Sequence, residues 1–528
     1  MKKLSTLVGL LLLSGLGHAQ SFTRSELPTS LTTPWEMTYG PDNYLWLTES
    51  GGRVSRVNPT TGEKTVVYTA PDYFAGSPLE QSPLCFQPNI GAGTLGLTLH
   101  PDFLTSATSY VYFVYSYNSG TAAAPATKFK IVRLTWNAPN SRVTASQDLV
   151  LNMPTGYDHL GGRLLAVKQN GLPYLYFTVG DNGVSDTNNP DCYVPQSSNP
   201  NNLAQDPAYK NGKVHRFNID GTIPSDNPIP GNSFFTRGHR NPQGLIYNPV
   251  QNVLYDTEHG DRTDDEINVL VKGMNYGWKN VRGYHGDDNY PGETAYINAY
   301  VPNPLIANDQ LKPAMYAWCA VPQPTTPTSV DWCSVAPSDG AYYSSNAIPA
   351  WTNSLLVVTL KNGSNTDQEL FQFKLNPDGV TLAPATSADP NPKRFFTADQ
   401  ELNGRLRDVA ISPDGNKIYL TTNNFDRPDK IIVYTYDRPL ANTAARLQRE
   451  IGLYPNPSEG SVTLDLTRLP IGNYGVELLN GLGQSVGQPQ QVASQRPQVL
   501  NVEQLAAGTY WVRVHNEKAQ MVVPLVRN

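Results

Sequence analysis

The sequence predicts an all-β protein: a β-propeller followed by a small C-terminal β-sandwich. Three observations predict it. Charged residues make up only 16% of the chain, while Gly (42), Pro (44) and Tyr (29) are abundant; that is the make-up of many turns, aromatic strands and few amphipathic helices. From about Trp35 to Asp437 one phrase recurs, in which an Asp/Asn/Gly turn leads to an alternating aromatic or β-branched strand, a glycine turn and a second strand. After Asp437 that phrase stops, and shorter alternating strands follow a polar linker.

Residues 1–19 read as a secretory signal. Lys2 and Lys3 form the basic end, residues 7–16 the apolar run, and Gly17-His18-Ala19 a small-residue cleavage site before Gln20. That run is short for a membrane span, and no later segment reaches ~18 apolar residues. An exported protein without a transmembrane span is expected. In an oxidising compartment four cysteines imply two disulfides. Cys319 and Cys333 flank a Pro/Thr-rich loop and are paired, which leaves Cys85 for Cys192 by elimination. The absence of C-x-x-C spacing argues against zinc. A net charge of −6 and a pI near 5.8 argue against nucleic acid as a partner.

The phrase is clearest at 41–49 with 52–57, at 173–181 with 212–217, at 252–258 with 265–270, and at 412–420 with 430–434. Period-two alternation between turns means half-buried antiparallel strands. Recurrence over so long a stretch suits a propeller, whose blades bury their faces against their neighbours. A sandwich array would not need one turn chemistry to recur. Stretches 72–93, 183–211 and 285–330, rich in Pro, Asn and Ser, depart from the phrase and are expected to rim the central channel. The domain is placed at 20–437 and the linker at 438–449. In 450–528, strands at 462–466, 474–479 and 521–526 follow Tyr454-Pro455-Asn456-Pro457; with no cysteine, one His and no acidic cluster, this part is assigned no chemistry.

Chemistry gathers at Arg237-Gly238-His239-Arg240-Asn241-Pro242-Gln243-Gly244-Leu245 and at the acidic loop 258–268 that follows. Guanidinium forks grip carboxylates, and carboxylates and exposed carbonyls suit Ca²⁺; the plain alternative is a surface loop whose charges pair with one another. His159 suits proton abstraction, and Asp181 could hold its other ring nitrogen; the plain alternative is a structural turn residue. Lys361, Arg405 and Arg407 add positive charge at strand ends. As an i, i+2 pair on a strand, Arg405 and Arg407 would share a face and clamp an anion, unless they pair with Asp408 or Glu401. Together with Arg240, these cations over-supply positive charge unless a polyanion sits among them.

His100-Pro101-Asp102-Phe103, Asp158-His159, Gly162-Arg163-Leu164, Gly180-Asp181, Gly238-His239-Arg240-Asn241-Pro242-Gln243-Gly244-Leu245, Asp264-Asp265-Glu266-Ile267-Asn268, Asn275-Tyr276-Gly277-Trp278 and Arg405-Leu406-Arg407-Asp408 occur in that order. Over about 28–437 they resemble the soluble quinoprotein glucose/sorbosone dehydrogenase family. The resemblance implies a six-bladed propeller holding pyrroloquinoline quinone (PQQ) and Ca²⁺. It also implies oxidation of the anomeric hydroxyl of an aldose to a lactone, with electrons passed to an external acceptor. On this sequence the family's base falls on His159, supported by Asp181, with Asp158 beside the substrate. Its quinone-facing arginine falls on Arg240, with Asn241 and Gln243 in the same pocket. Cofactor-carboxylate clamps fall on Lys361, Arg405 and Arg407, and a hydroxyl contact on Ser334. The cofactor Ca²⁺ would take backbone carbonyls of Gly260 and Asp261; a structural Ca²⁺ would use Glu266, Tyr276 and Asp287.

The chain departs from the family's pattern at Ile90-Gly91-Ala92-Gly93, at Asn423 and around Trp332, a lid and substrate-wall position. These changes touch substrate walls more than the cofactor cradle and put glucose itself in doubt. The C-terminal Tyr454-Pro455-Asn456-Pro457 and Ala506-Ala507-Gly508-Thr509-Tyr510 resemble the sorting domain of type IX secretion cargo, which implies passage across the outer membrane and then release or surface attachment. Two other functions compete: a Ca²⁺-dependent propeller hydrolase of the lactonase type, and a non-catalytic sugar-binding propeller. The first would not need a cluster of cations arranged for a tricarboxylate; the second would bind a sugar without taking up quinone.

Overall fold

The computed structural model describes residues 20–528 except 77–90, 106–108, 157, 183, 186–192, 195–202, 262, 323–332, 362–367, 438–447, 449 and 517–519. They fall into two compact units, Phe22–Tyr436 and a C-terminal one over Asp437–Asn528.

Alternating strands with short turns can only pair with their chain neighbours, and in Phe22–Tyr436 they do so as six four-stranded antiparallel sheets. The sheets begin with Pro34–Tyr39, Thr94–Leu99, Leu164–Gln169, Pro242–Asn248, Pro337–Tyr343 and Leu406–Ile411. Five run in chain order. The sixth takes its outer strand, Phe22–Glu26, from the start of the domain, paired to Ile431–Tyr436. Each first strand touches the first strand of the next sheet, and the sixth touches the first, closing a ring. Apolar clusters fill the gaps between neighbouring sheets. Trp46, Leu97 and Phe113 join the first two, and Leu356, Leu406 and Ile418 the last two. Strands clad on both faces are buried throughout, as Ser354–Thr359 is.

A single guanidinium ties the ring together at its centre. Arg163, 1% exposed, directly precedes the third sheet. Its Nη1 lies 2.7 Å from Glu36, 3.0 Å from Asp408 and 3.2 Å from Asp339, and its Nε donates to the Gln243 carbonyl at 2.8 Å. The Leu97 amide donates to Glu36 at 3.4 Å. Every sheet therefore contributes a group from its first strand or the residue before it. The same strands line a cavity of about 310 Å³ that includes Glu36, Arg163, Asp339 and Asp408. Burial pushes Glu36 up to about 7, and Asp339 and Asp408 up to about 8, despite the guanidinium.

In the C-terminal unit, strands Gly452–Tyr454, Ser461–Asp465 and Gln498–Asn501 form one sheet. Gln490–Ala493, Asn473–Leu479, Gly508–His515 and Gln520–Arg527 form another. One apolar core including Val462, Leu464, Tyr474, Val512 and Leu525 serves both.

The stretch 285–330 differs from the open loop expected. It contains helix Glu293–Ala299 and strand Tyr316–Trp318, which completes the fourth sheet by pairing with Asp265–Leu270. Tyr316 and Trp318 pack on Phe373, so aromatic burial overrides the local Pro/Asn bias. Just after that strand Cys319 is bonded to Cys333. Cys85 and Cys192 lie outside the described residues, as do parts of 72–93 and 183–211. Among the described residues no helix is long and apolar enough to cross a membrane.

Removing the central cation strands three buried carboxyls. Arg163→Met should lower unfolding free energy by about 3–5 kcal/mol in urea titrations. Because those carboxyls hold protons in the folded state that they release when unfolded, their contribution to stability is full below about pH 4 and lost as pH rises through 7–8. Glu36→Gln should flatten that decline.

Candidate functional site

The site forms where the third-sheet turn meets the loop entering the fourth sheet. Strand Leu172–Val179 ends at Gly180, where a Cβ would lie 1.9 Å from the His159 carbonyl and 2.9 Å from that of Arg240. Only glycine permits that approach. The next amide, of Asp181, donates to the Arg240 carbonyl at 2.7 Å. His159 takes a left-handed backbone (φ 49°), and its Nδ1 meets the buried Asp181 carboxylate at 2.7 Å. An imidazole whose Nδ1 proton is held by a carboxylate carries its basic lone pair on Nε2. Asp158, its side chain half-exposed, lies 3.7 Å from that atom.

Arg240 is fixed by its backbone as well as by its head. Its amide donates to the buried Glu258 carboxylate, which also holds His239 Nδ1 at 2.8 Å. Its Nη1 donates to the His259 carbonyl at 3.2 Å, and its guanidinium lies 5.4 Å from the Trp278 ring centre. Arg240 Nε is buried without a hydrogen-bond partner among the described residues. The Asn241 side-chain oxygen Oδ1 accepts from the Gly161 backbone amide at 3.2 Å and from Gln243 Nε2 at 2.8 Å, tying both side chains to the His159 turn. His259 is half-buried here with its Nε2 enclosed, and desolvation together with the Arg240, Arg407 and His159 charges pushes it down to about 3.

The other cations approach from the fifth and sixth sheets. Arg405 donates to the Leu360 carbonyl at 3.2 Å and the Asn423 carbonyl at 2.7 Å. The Lys361 amide donates to Val335 at 3.2 Å, which sets Lys361 beside the segment carrying Ser334. Arg407 packs 4.2 Å from the Trp35 ring centre, the same distance as Arg163 on that ring. Alternation along a strand is not what brings the arginines together. Arg405 precedes Leu406–Ile411, and a register shift between Leu406 and Asp408 bulges the strand at Arg407. Asp408 pairs with Arg163 instead, and neither Arg405 nor Arg407 has an ion pair among the described residues. Burial pushes Arg405 down to about 10, and burial with the charges of Arg163 and Arg405 pushes Arg407 well below its ordinary value. Buried cations with so little compensation are what an anionic ligand would relieve.

In the acidic loop, the Gly260 amide donates to Asp265 at 2.8 Å. Asp261 bridges Arg240 (3.5 Å) and Arg282 (3.3 Å) through its carboxylate. Glu266 accepts from the Gly283 amide at 2.6 Å and from Asn268 at 2.9 Å; burial and the nearby Glu258 push it well up. The Tyr276 hydroxyl donates to the Val269 carbonyl at 2.6 Å, so its backbone carbonyl is the oxygen it has to offer a cation. Glu258, Gly260, Asp264, Glu266 and Tyr276 line a cavity of about 10 Å³, room for about one water. Asp287 does not join them; it is exposed and its carboxylate caps Asn289 at 3.2 and 2.8 Å. Trp332 lies outside the described residues.

Sequence reasoning missed Arg282 and assigned no role to Glu258, His259 or Trp278. Trp278 stood in a quoted motif, but no spacing reveals that its Nε1 donates to Asp181 at 2.9 Å across 97 residues.

The glucose/sorbosone dehydrogenase family matches residues 31–432, and the secretion-system C-terminal sorting domain matches 452–527. Quinoprotein glucose dehydrogenase B of Acinetobacter calcoaceticus is 30% identical over 466 residues, covering 80% of this chain and 90% of that protein. Aldose sugar dehydrogenase YliI of Escherichia coli is 28% identical over 404 residues, covering 75% and 88%. The PQQ-bound aldose sugar dehydrogenase of Streptomyces coelicolor shares the fold, with TM-score 0.53, 23% identity, and coverage of 79% of this chain and 99% of that one.

A Cβ at Gly180 has no room. Gly180→Ala should destabilise the protein by about 1–3 kcal/mol in denaturant unfolding, whereas Gly171, left-handed (φ 83°) but without neighbours within 4 Å, should lose less on the same change.

Proposed function

The chain belongs to the glucose/sorbosone dehydrogenase family, and on that premise we propose that it is a secreted PQQ- and Ca²⁺-dependent sugar dehydrogenase. It oxidises the anomeric hydroxyl of an aldose to a lactone and passes the electrons to an external acceptor. The six ring-closed sheets are read as six propeller blades and the C-terminal unit as a β-sandwich. The chain is divided into a signal peptide at 1–19, the propeller at 20–437, a linker at 438–449 and the sorting domain at 450–528. The sorting domain favours export by the type IX route, ending in release or surface attachment.

The observation that carries this reading is two guanidiniums, the half-buried Arg405 and the buried Arg407, without an ion pair among the described residues, together with Arg240 beside a His–Asp pair. The residues fit the cofactor. Arg240 and Arg407 each bury an Nε without a hydrogen bond among the described residues, and Lys361 and Arg405 come from adjoining segments. Lys361, Arg405 and Arg407 would hold the three carboxylates of PQQ, with Ser334, Asn241 and Gln243 completing the cradle. Gly260 and Asp261 would offer carbonyls to the cofactor Ca²⁺. Glu266 and the Tyr276 carbonyl would hold a second ion; Asp287, capping its own turn, stands outside that set.

Bound PQQ supplies the two-electron acceptor that takes the hydride from sugar C1. The chain's own part is placement and proton transfer. Asp181 keeps the Nδ1 proton of His159 in place, so Nε2 removes the C1 hydroxyl proton. Arg240 holds fixed positive charge where negative charge grows in the transition state. Asp158, at the more exposed edge, would contact the sugar, with Trp332 forming part of the substrate wall. A lactonase-type hydrolase or a sugar-binding propeller would leave the cation cluster without a purpose.

His159→Ala should cut aldose-dependent dye reduction by about 10²–10⁴-fold while leaving PQQ uptake unchanged. Arg405→Ala should instead weaken PQQ binding about tenfold or more. Wild-type protein reconstituted with PQQ and Ca²⁺ that reduces no dye with any aldose overturns the reading.

A further inference from the structure

We propose that Trp278 is a positioning residue that couples the His159–Asp181 base to Arg240; this inference rests on the dehydrogenase reading above. The indole has two separate jobs. Its Nε1–H donates to Asp181 Oδ2 at 2.9 Å, while Asp181 Oδ1 meets His159 Nδ1 at 2.7 Å. One carboxylate oxygen therefore holds the base and the other is held by tryptophan. A carboxylate anchored at one oxygen cannot rotate about its Cβ–Cγ bond without breaking that bond, so the imidazole plane is fixed in turn.

The second job belongs to the ring. Arg240 lies 5.4 Å from its centre and Arg282 4.9 Å, both cation–π distances. Asp261 reaches Arg240 at 3.5 Å and Arg282 at 3.3 Å, joining the two guanidiniums through one carboxylate. Arg282 is itself buried against Tyr290, 3.7 Å from its ring centre. Trp278 is 5% exposed, and its backbone is pinned at both ends: its amide donates to Gly238 at 2.9 Å and its carbonyl accepts from Gln205 at 2.8 Å. The Gly238 contact ties it to the turn that carries Arg240. Base and cation are thus registered against one rigid bicyclic plate, and a shift of that plate displaces both.

Two substitutions separate the jobs. Trp278→Phe keeps a ring and removes the donor. It should lower kcat about tenfold or more, with KM and PQQ affinity unchanged. Trp278→Leu removes both and should lower kcat and PQQ affinity together. In apo-protein carrying nitrogen-labelled tryptophan, the Trp278 indole N–H resonance should move on Asp181→Asn. That readout needs neither cofactor nor turnover, so it stands even if the dehydrogenase reading falls. An indole resonance unmoved by Asp181→Asn overturns the proposal. So does a Trp278→Phe enzyme with unchanged kcat, or one whose PQQ affinity falls as far as its kcat.

Discussion

Everything above the centre of the ring depends on one buried guanidinium facing more acid than it can neutralise. Arg163 engages Glu36, Asp339 and Asp408 and a backbone carbonyl from a fourth first strand. The apolar clusters between sheets are non-directional and would tolerate a range of sheet angles. The ion cluster is directional, and it fixes where each first strand ends. Its carboxyls, displaced upward by burial, show that this geometry is held against a desolvation penalty rather than for net Coulomb energy.

The site inherits its shape from that floor. Trp35 carries both Arg163 and Arg407 near its ring, so Arg407 is stacked against the central cluster. The other groups come from several sheets: His159 and Asp181 from the third, Arg240 from the fourth, Lys361 from the fifth and Arg405 from the sixth. No single sheet could gather so much like charge, because strand alternation separates neighbours and like charges repel. Spreading the cations over several rigid sheets lets the apolar packing between sheets hold together what electrostatics alone would separate.

Much of this was legible in the chain. Turn-strand phrasing exposed strands of four sheets, because turn residues bracket each run; the half-burial that alternation implied is not what forms, since strands such as Leu45–Glu49, Asp265–Leu270 and Lys417–Thr422 are clad on both faces and buried almost throughout. The His159–Asp181 pair was legible because an imidazole in a loop before a strand and a carboxylate just past the end of the next strand are brought to the same edge of the sheet. The bulge at Arg407 was not, since the i, i+2 rule assumes regular pleating and no local residue marks its failure. Nor was the strand Tyr316–Trp318, whose Pro-rich flanks read as loop and whose pairing depends on aromatic contacts made far along the chain. Asp287 was named a ligand by the resemblance alone; in the structure its carboxylate accepts from Asn289, a local contact that no spacing announces. The Trp278–Asp181 bond lies beyond sequence pattern altogether, because a hydrogen bond between sheets leaves no periodicity.

The central claim is that these cations enclose a tricarboxylate redox group beside a fixed base. An equilibrium titration of PQQ into the Ca²⁺-supplemented apo-protein, followed by anaerobic addition of an aldose, tests it most directly. The account predicts saturable uptake of one PQQ per chain, then conversion of the bound quinone's absorbance to that of its reduced form. Sugar binding with no PQQ uptake, or bound PQQ that no aldose reduces, would contradict it.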